Sequence, residues 1–146
     1  MSLLDHPAIF DIDSLGLIGE TGRAVEVFDA AVASARSVDI PFPADAIHNV
    51  AICGMGGSAI AGDLIIGAFW DRLRRPVQVI RDYYLPGWVG ESTLVVGSSF
   101  SGTTEETLTC MLDAIDRTCP AVGISTGGRF ADYYVPRGVP LVEVPQ

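Results

Sequence analysis

The sequence predicts an α/β fold, with a doubly wound parallel sheet of five strands flanked by helices. Three observations favour it. Short apolar runs rich in β-branched residues alternate with helical patterns along the chain, which is the order found in parallel sheets. The runs are apolar throughout, as expected for strands that are covered on both faces. The turns rich in glycine or hydroxyls follow these runs, at the sheet edge where such folds bind ligands.

The elements can be assigned in chain order. Residues 14–38 predict one amphipathic helix or two, because apolar side chains recur every three or four residues. Gly19 and Gly22 weaken the start of this helix and favour a break there. The remaining predicted elements are strands that begin at Val50, Val77, Leu94, Ala121 and Pro140, helices over about 58–70 and 103–116, and a short helix or loop over 127–132.

Composition excludes several classes of protein. The 146 residues suffice for one sizeable core, and the net charge of −9 argues against nucleic acid or an anionic membrane as the main partner. Residues 1–10 lack the features of a signal peptide and no apolar run reaches spanning length, so a cytoplasmic location is expected. No cofactor or metal is expected. Cys53, Cys110 and Cys119 lack metal-ligand spacing and are predicted to be buried structural thiols.

Residues 93–107 change abruptly from an apolar strand to a cluster of hydroxyls. A helical pattern follows at once, and no Lys or Arg lies within the stretch. A helix N-terminus supplies unpaired N–H groups and the positive end of its dipole, to which hydroxyls add uncharged donors. Capping explains one or two hydroxyls but not five, so the stretch predicts a site for an anion such as a phosphate monoester. The five hydroxyls are those of Ser98, Ser99, Ser101, Thr103 and Thr104.

The turn after the first strand leaves an alternative open. Its pattern Gly54-x-Gly56-x-x-Ala59 fits the dinucleotide fingerprint, and Asp82 after the second strand fits the acid that binds a ribose. A Rossmann-type nucleotide-binding domain is therefore a rival interpretation. The glycine pattern alone is weak, however, and a dinucleotide has no need of a second turn filled with hydroxyls. Phosphate binding is therefore favoured.

These motifs resemble the sugar isomerase (SIS) domain. Residues 52–63, 81–86 and 125–129 resemble, more narrowly, the family of bifunctional phosphoglucose/phosphomannose isomerases. The resemblance implies a flavodoxin-like sheet and the isomerisation of glucose 6-phosphate or mannose 6-phosphate to fructose 6-phosphate. The site residues that it implies are Ser99, Ser101 and Thr104 on the phosphate, Gly57 and Ser58 along the sugar, and a catalytic arginine at Arg129.

The chemistry supports Arg129 independently of the resemblance. Aldose–ketose isomerisation passes through an enediolate, whose negative charge needs a fixed cation nearby, and Arg129 follows Gly127 and Gly128 from a strand end. Arg81 fits an ion pair as well as a site role. His6 and His48 are not expected to be catalytic, and Glu105 and Glu106 are expected to favour the start of a helix rather than to act as the base.

The resemblance also predicts how the chain is organised. Residues 1–45 are expected to form a helical lead-in packed on the domain, and residues 46–146 the SIS domain, as the N-terminal half of a two-domain enzyme. In the family the general base and the ring-opening acid come from a second SIS domain, so the catalytic base is expected outside this chain. A homodimer or pairing with a second SIS domain is expected. A non-catalytic sugar-phosphate-binding module is a further alternative.

Overall fold

The structure, a computed structural model, describes residues 12–145. Its strands are β1 (Asn49–Gly54), β2 (Val77–Ile80), β3 (Thr93–Ser99), β4 (Ala121–Ser125) and β5 (Leu141–Glu143). Its helices are α1 (Leu17–Gly22), α2 (Ala24–Ser37), α3 (Gly56–Phe69), α4 (Glu105–Asp116) and α5 (Gly128–Tyr134), with short 3₁₀ turns at Ala44–Ala46 and Val135–Arg137. The predicted α/β class with a five-stranded sheet is confirmed.

The sheet is parallel throughout, in the order β2-β1-β3-β4-β5. This is the flavodoxin-like order, and it differs from the order 3-2-1-4-5-6 of dinucleotide-binding sheets. The chain order reverses between β1 and β3, which lie side by side with Gly54 opposite Ser98. Sheets of this kind bind ligands beyond the carboxyl ends of the strands at such a reversal. The topology therefore predicts a ligand site at the turns that follow β1 and β3.

The main core lies on the face of the sheet covered by α4 and α5. Phe130 of α5 and Met111 of α4 are fully buried there. Two strand glycines make room for them: a Cβ on Gly97 would lie 2.5 Å from Met111 Sδ, and one on Gly123 would lie 2.2 Å from Phe130 Cε1. Both helices therefore approach the sheet closely, which fixes their N-termini relative to the strand ends.

The opposite face of the sheet carries α3. Gly62 brings α3 close, because a Cβ there would lie 2.8 Å from Val79 Cγ2. The predicted N-terminal helix is divided as expected, since α1 ends at Gly22 and α2 begins at Ala24. Helix α2 lies against β5 but buries none of its residues, and Val25 and Phe28 remain 71% and 66% exposed. The domain boundary at residue 45 stays a prediction.

Two further expectations concern the helices and the cysteines. Within residues 12–145, no helix is long and apolar enough to cross a membrane. All three cysteines are free and buried, as predicted. The adjacent Cys110 thiol and burial raise the pKa of Cys53, and burial raises the pKa of Cys119. These two thiols stay protonated and are poor nucleophiles.

Candidate functional site

Two turns meet at the reversal of the sheet. The glycine turn, residues 55–58, follows β1, and the hydroxyl turn, residues 99–104, joins β3 to α4. Their strands touch closely, because a Cβ on Gly54 would lie 2.9 Å from the carbonyl oxygen of Ser98. The Phe100 N–H donates to Ser58 Oγ at 3.3 Å. This hydrogen bond links the two turns directly and leaves the hydroxyl hydrogen of Ser58 free to donate elsewhere.

The hydroxyls of the second turn bond to one another rather than to the helix. Ser99 Oγ donates to Thr104 Oγ1 at 2.9 Å, and Ser101 Oγ lies 3.0 Å from Thr103 Oγ1. Each pair contains two hydroxyl hydrogens and uses one, so each pair retains one donor. Ser99 is buried, whereas Ser101 is exposed and Thr104 is half-buried. The pairs thus fix the hydroxyls in place and still present donors outward.

Both helices that start at these turns lack a side-chain cap among the described residues. Thr104 occupies the N-cap position of α4 and Met55 that of α3, and neither makes a capping hydrogen bond. The N–H groups of each first helical turn have no intrahelical partner. Gly57 lies in the first turn of α3 with open space around it. The capping explanation of the hydroxyls is therefore wrong for these helices, and two sets of free N–H groups lie side by side at one end of the sheet.

Helix α3 begins earlier than the sequence indicated. The predicted start near Ser58 is wrong by two residues, since α3 begins at Gly56. The cause is local: Met55 is extended, and Gly56 takes a φ of 50°, which glycine adopts readily. The shift places Gly57 and Ser58 within the first helical turn, where their backbone N–H groups belong to the free set.

The arginine turn, residues 126–129, lies beside the hydroxyl turn. Gly127 and Gly128 both have positive φ, and the Phe130 N–H donates to the Gly102 carbonyl oxygen at 2.8 Å. Arg129 is exposed and takes part in none of the ion pairs found within residues 12–145. Its turn therefore joins the site and brings a cation that makes no ion pair within residues 12–145.

The Arg129 side chain lines a neighbouring cavity of about 340 Å³ on the outer side of α4, together with Tyr83, Glu105 and Tyr133. None of the predicted phosphate or sugar residues lines that cavity. Glu105 directly follows Thr104, so the cavity begins one residue from the hydroxyl turn. Repulsion by Glu106 is the main cause that raises the pKa of Tyr83 at the rim. The structure thus brings the two turns together and places the arginine side chain next to them rather than between them.

The remaining charged candidates from the sequence lie outside the two turns or make local contacts. Arg81, ambiguous in the sequence, is paired with Asp63 of α3. Asp82 Oδ1 accepts a hydrogen bond from the Tyr83 N–H at 2.6 Å. His48 precedes β1, at the end of the sheet opposite the turns, as predicted. His6 lies outside the described residues. Within residues 12–145, no group of three or more metal-ligating side chains is found.

One residue of the site escaped sequence reasoning. Thr126 donates twice to the Phe100 carbonyl oxygen, from its N–H at 3.2 Å and from Oγ1 at 2.7 Å. A threonine after a strand gives no local signal for a partner 26 positions away. Only its place beside Gly127 and Gly128, in a motif already of interest, could have suggested it.

No protein-family model matches the chain. Curated relatives do. The chain is 38% identical over 110 residues to a bifunctional phosphoglucose/phosphomannose isomerase of Caldicellulosiruptor bescii. The match covers 75% of this chain and 32% of the relative. A protein of the same name from Thermoplasma acidophilum is 35% identical over 107 residues, covering 73% and 32%. The predicted resemblance is confirmed, and the match spans about a third of the length of these relatives.

Solved structures share the fold. A candidate phosphosugar isomerase of Clostridium difficile superimposes with a TM-score of 0.58 at 20% identity, covering 75% of this chain and 31% of that one. The Vibrio vulnificus NanR protein, solved with ManNAc-6P, superimposes with a TM-score of 0.61 at 14% identity, covering 93% and 54%. At these identities the likeness establishes the fold alone, a parallel flavodoxin-like sheet flanked by helices.

Proposed function

We propose that this chain, whose curated relatives are bifunctional phosphoglucose/phosphomannose isomerases, is the sugar-phosphate-binding part of an aldose–ketose isomerase. Its substrates would be glucose 6-phosphate or mannose 6-phosphate, converted to fructose 6-phosphate. The observation that carries the proposal is the meeting of two uncapped helix N-termini at the hydroxyl turn. Free N–H groups and outward hydroxyls make a site for a phosphate group that needs no lysine or arginine.

In this proposal the hydroxyl turn holds the phosphate. The exposed Ser101 and the half-buried Thr104 donate to phosphate oxygens beside the first-turn N–H groups of α4. Ser99 completes the set as the buried partner of Thr104. The phosphate is the unreactive end of the substrate, so these contacts supply binding and orientation. They act in the same way on the aldose and the ketose.

The sugar would extend from the phosphate over the glycine turn. Gly57 has no side chain and nothing within 4 Å of a would-be Cβ, so a substrate can approach its backbone. The Ser58 hydroxyl, with its hydrogen free, can donate to a sugar oxygen. The turn thus supplies space and one directed contact.

Isomerisation moves a proton between neighbouring carbons through an enediolate, and we assign Arg129 to the developing negative charge. Its guanidinium lines the adjoining cavity, so its side chain must turn toward the sugar when substrate binds. Among residues 12–145, no histidine lies at this end of the sheet. We further propose that the general base and the ring-opening acid come from outside residues 12–145, which fits a match to about a third of the relatives' length.

A non-catalytic sugar-phosphate-binding module is the second candidate. It is favoured by the lack of an assigned base in the described residues, and the NanR protein of the same fold was solved with a sugar phosphate. Both candidates share the phosphate site and differ only in turnover. The nucleotide-binding alternative has less support, because the strand order is not that of a dinucleotide-binding sheet.

Calorimetric titration with glucose 6-phosphate and mannose 6-phosphate tests the site. The wild-type chain should bind, and Ser101→Ala combined with Thr104→Val should lower the affinity by about tenfold or more, since two hydrogen bonds to a charged group are lost. The matched control is Ser37→Ala, which removes an exposed hydroxyl that, among residues 12–145, bonds only to the Ser34 carbonyl oxygen within α2. Full affinity in the double variant would refute the phosphate assignment. Formation of fructose 6-phosphate separates the isomerase from the binding module.

We also propose that α3 mediates pairing with a second copy or a second SIS domain. Outward residues of α3 and its C-cap are large and apolar; Leu64 and Trp70 are 67% and 75% exposed. A helix that is apolar on nearly all sides is normally buried. Sedimentation should give a dimer that Leu64→Lys dissociates, whereas a wild-type monomer at working concentration argues against a homodimer.

A further inference from the structure

The hydroxyl turn and the arginine turn are in main-chain contact. Gly102 has a φ of +66°, and a Cβ there would lie 1.9 Å from the Gly127 carbonyl oxygen. A Cβ on Gly128 would lie 2.7 Å from the Ser101 carbonyl oxygen. The backbones of the two turns therefore interlock, with glycine at each contact. Contact alone does not hold the turns in one relative position, so their position depends on the hydrogen bonds between them.

Three hydrogen bonds join the hydroxyl turn to the arginine turn and to Phe130, the residue that follows it. Two come from Thr126, whose N–H and Oγ1 share the Phe100 carbonyl oxygen, and the third runs from the Phe130 N–H to the Gly102 carbonyl oxygen. Thr126 supplies the only side chain in this set within residues 12–145. Two donors satisfy both lone pairs of the Phe100 carbonyl oxygen. The Thr126 hydroxyl is thus the one link here that a substitution can remove without changing the backbone.

The two turns are not equally restrained from elsewhere. Each turn is continuous with a strand and a helix, but the hydroxyl turn also carries two hydroxyl pairs and is held at the Phe100 N–H by Ser58. The arginine turn contains two glycines and, within residues 12–145, has one further side-chain anchor, the buried Ser125 Oγ, which bonds to the N–H and carbonyl of Gly127. If the Thr126 link is lost, the arginine turn is therefore the one that moves.

We propose that Thr126 is a positioning residue that holds the arginine turn against the hydroxyl turn and so sets the reach of Arg129 toward the substrate. The inference rests on the proposed function, because it assigns the phosphate to one turn and the charge-stabilising cation to the other. Thr126 touches neither group of the substrate in this scheme. It acts through the Phe100 carbonyl oxygen on one side and the backbone leading to Arg129 on the other.

The test compares the binding of two ligands to variants of the whole chain. Thr126→Val keeps the shape and removes the hydroxyl; it should weaken binding of 5-phosphoarabinonate, whose carboxylate mimics the charge of the enediolate, roughly fivefold and leave inorganic phosphate binding unchanged. Thr126→Ser should retain wild-type affinity for both. In an Arg129→Gln background, Thr126→Val should cause no further loss, because its effect passes through Arg129. Additive losses, or an equal loss for inorganic phosphate, would overturn the proposal.

A measurement without ligand separates this inference from the proposed function. Amide hydrogen exchange of residues 127–131 in the free chain should become roughly fivefold faster in Thr126→Val and stay unchanged in Thr126→Ser. The Phe130 N–H is the most direct reporter, since it bonds across the two turns. If the wild-type chain binds no sugar phosphate, the proposed function fails. If exchange in Thr126→Val equals that of the wild type, the coupling itself fails.

Discussion

The glycine turn and the hydroxyl turn are neighbours at one end of the sheet but are built in opposite ways. The glycine turn is open: a Cβ on Gly56 or Gly57 would meet nothing within 4 Å. The hydroxyl turn is closed, with its side chains bonded in pairs and Gly102 against the main chain of Gly127. A phosphate group needs donors in fixed positions, whereas a sugar needs room. The closed hydroxyl turn therefore suits the phosphate end of a sugar phosphate, and the open glycine turn suits the sugar end.

The largest expected effect comes from adding one methyl group to each turn. Gly102→Ala forces a side chain onto a φ of +66° and against the Gly127 carbonyl oxygen, so the free energy of unfolding should fall by about 3 kcal/mol or more. Gly57→Ala adds the same atoms in open space within a helix and should change stability by less than about 1 kcal/mol. Urea denaturation measures both variants. Similar midpoints for the two would contradict the contrast between a closed and an open turn.

Much of the fold follows from local sequence patterns. The strand over residues 77–80 and the break of the first helix near Gly22 agree with the structure, because apolar periodicity and glycine act over a few residues. Ser99 illustrates the limit: it belongs to β3, since strand pairing with β4 extends to its partner Ser125. Such an extension depends on a neighbouring strand, which periodicity within one segment does not report.

The site was predictable in place but not in arrangement. The sequence located the hydroxyl turn because its composition is unusual over seven residues. It could not show that Ser99 bonds Thr104 rather than a helix N–H, or that Thr126 bonds Phe100. Both facts depend on the backbone path. The orientation of the Arg129 side chain is likewise set by the packing of α5 beside α4, which local patterns leave open.

An intermediate effect is expected from pH, and it tests what the closed turn recognises. The predicted phosphate donors are hydroxyls and backbone N–H groups, so the titrating group is the ligand itself, whose second phosphate pKa is about 6. Binding that favours the dianion strengthens as pH rises through 6, so glucose 6-phosphate affinity should be about tenfold lower at pH 5 than at pH 7.

The matched control for this pH series is glucose 6-sulfate, which carries a single charge throughout the range. Its affinity should not change between pH 5 and pH 7, because its own charge is constant. An equal loss for the sulfate ester would show that a protein group titrates in the site. The closed turn would then depend on a charged side chain, contrary to the hydrogen-bonding scheme.

The smallest expected effect comes from Ser58, which links the glycine turn to the hydroxyl turn. Ser58→Ala removes the acceptor of the Phe100 N–H and the proposed donor to the sugar, so glucose 6-phosphate affinity should fall roughly fivefold. Inorganic phosphate affinity should change by less than about twofold, because the phosphate donors belong to the other turn. Titration of both ligands against Ser58→Ala and the control Ser58→Thr measures the difference. If the affinities for both ligands fall equally, Ser58 binds the phosphate. The glycine turn would then be part of the anion site rather than the place of the sugar.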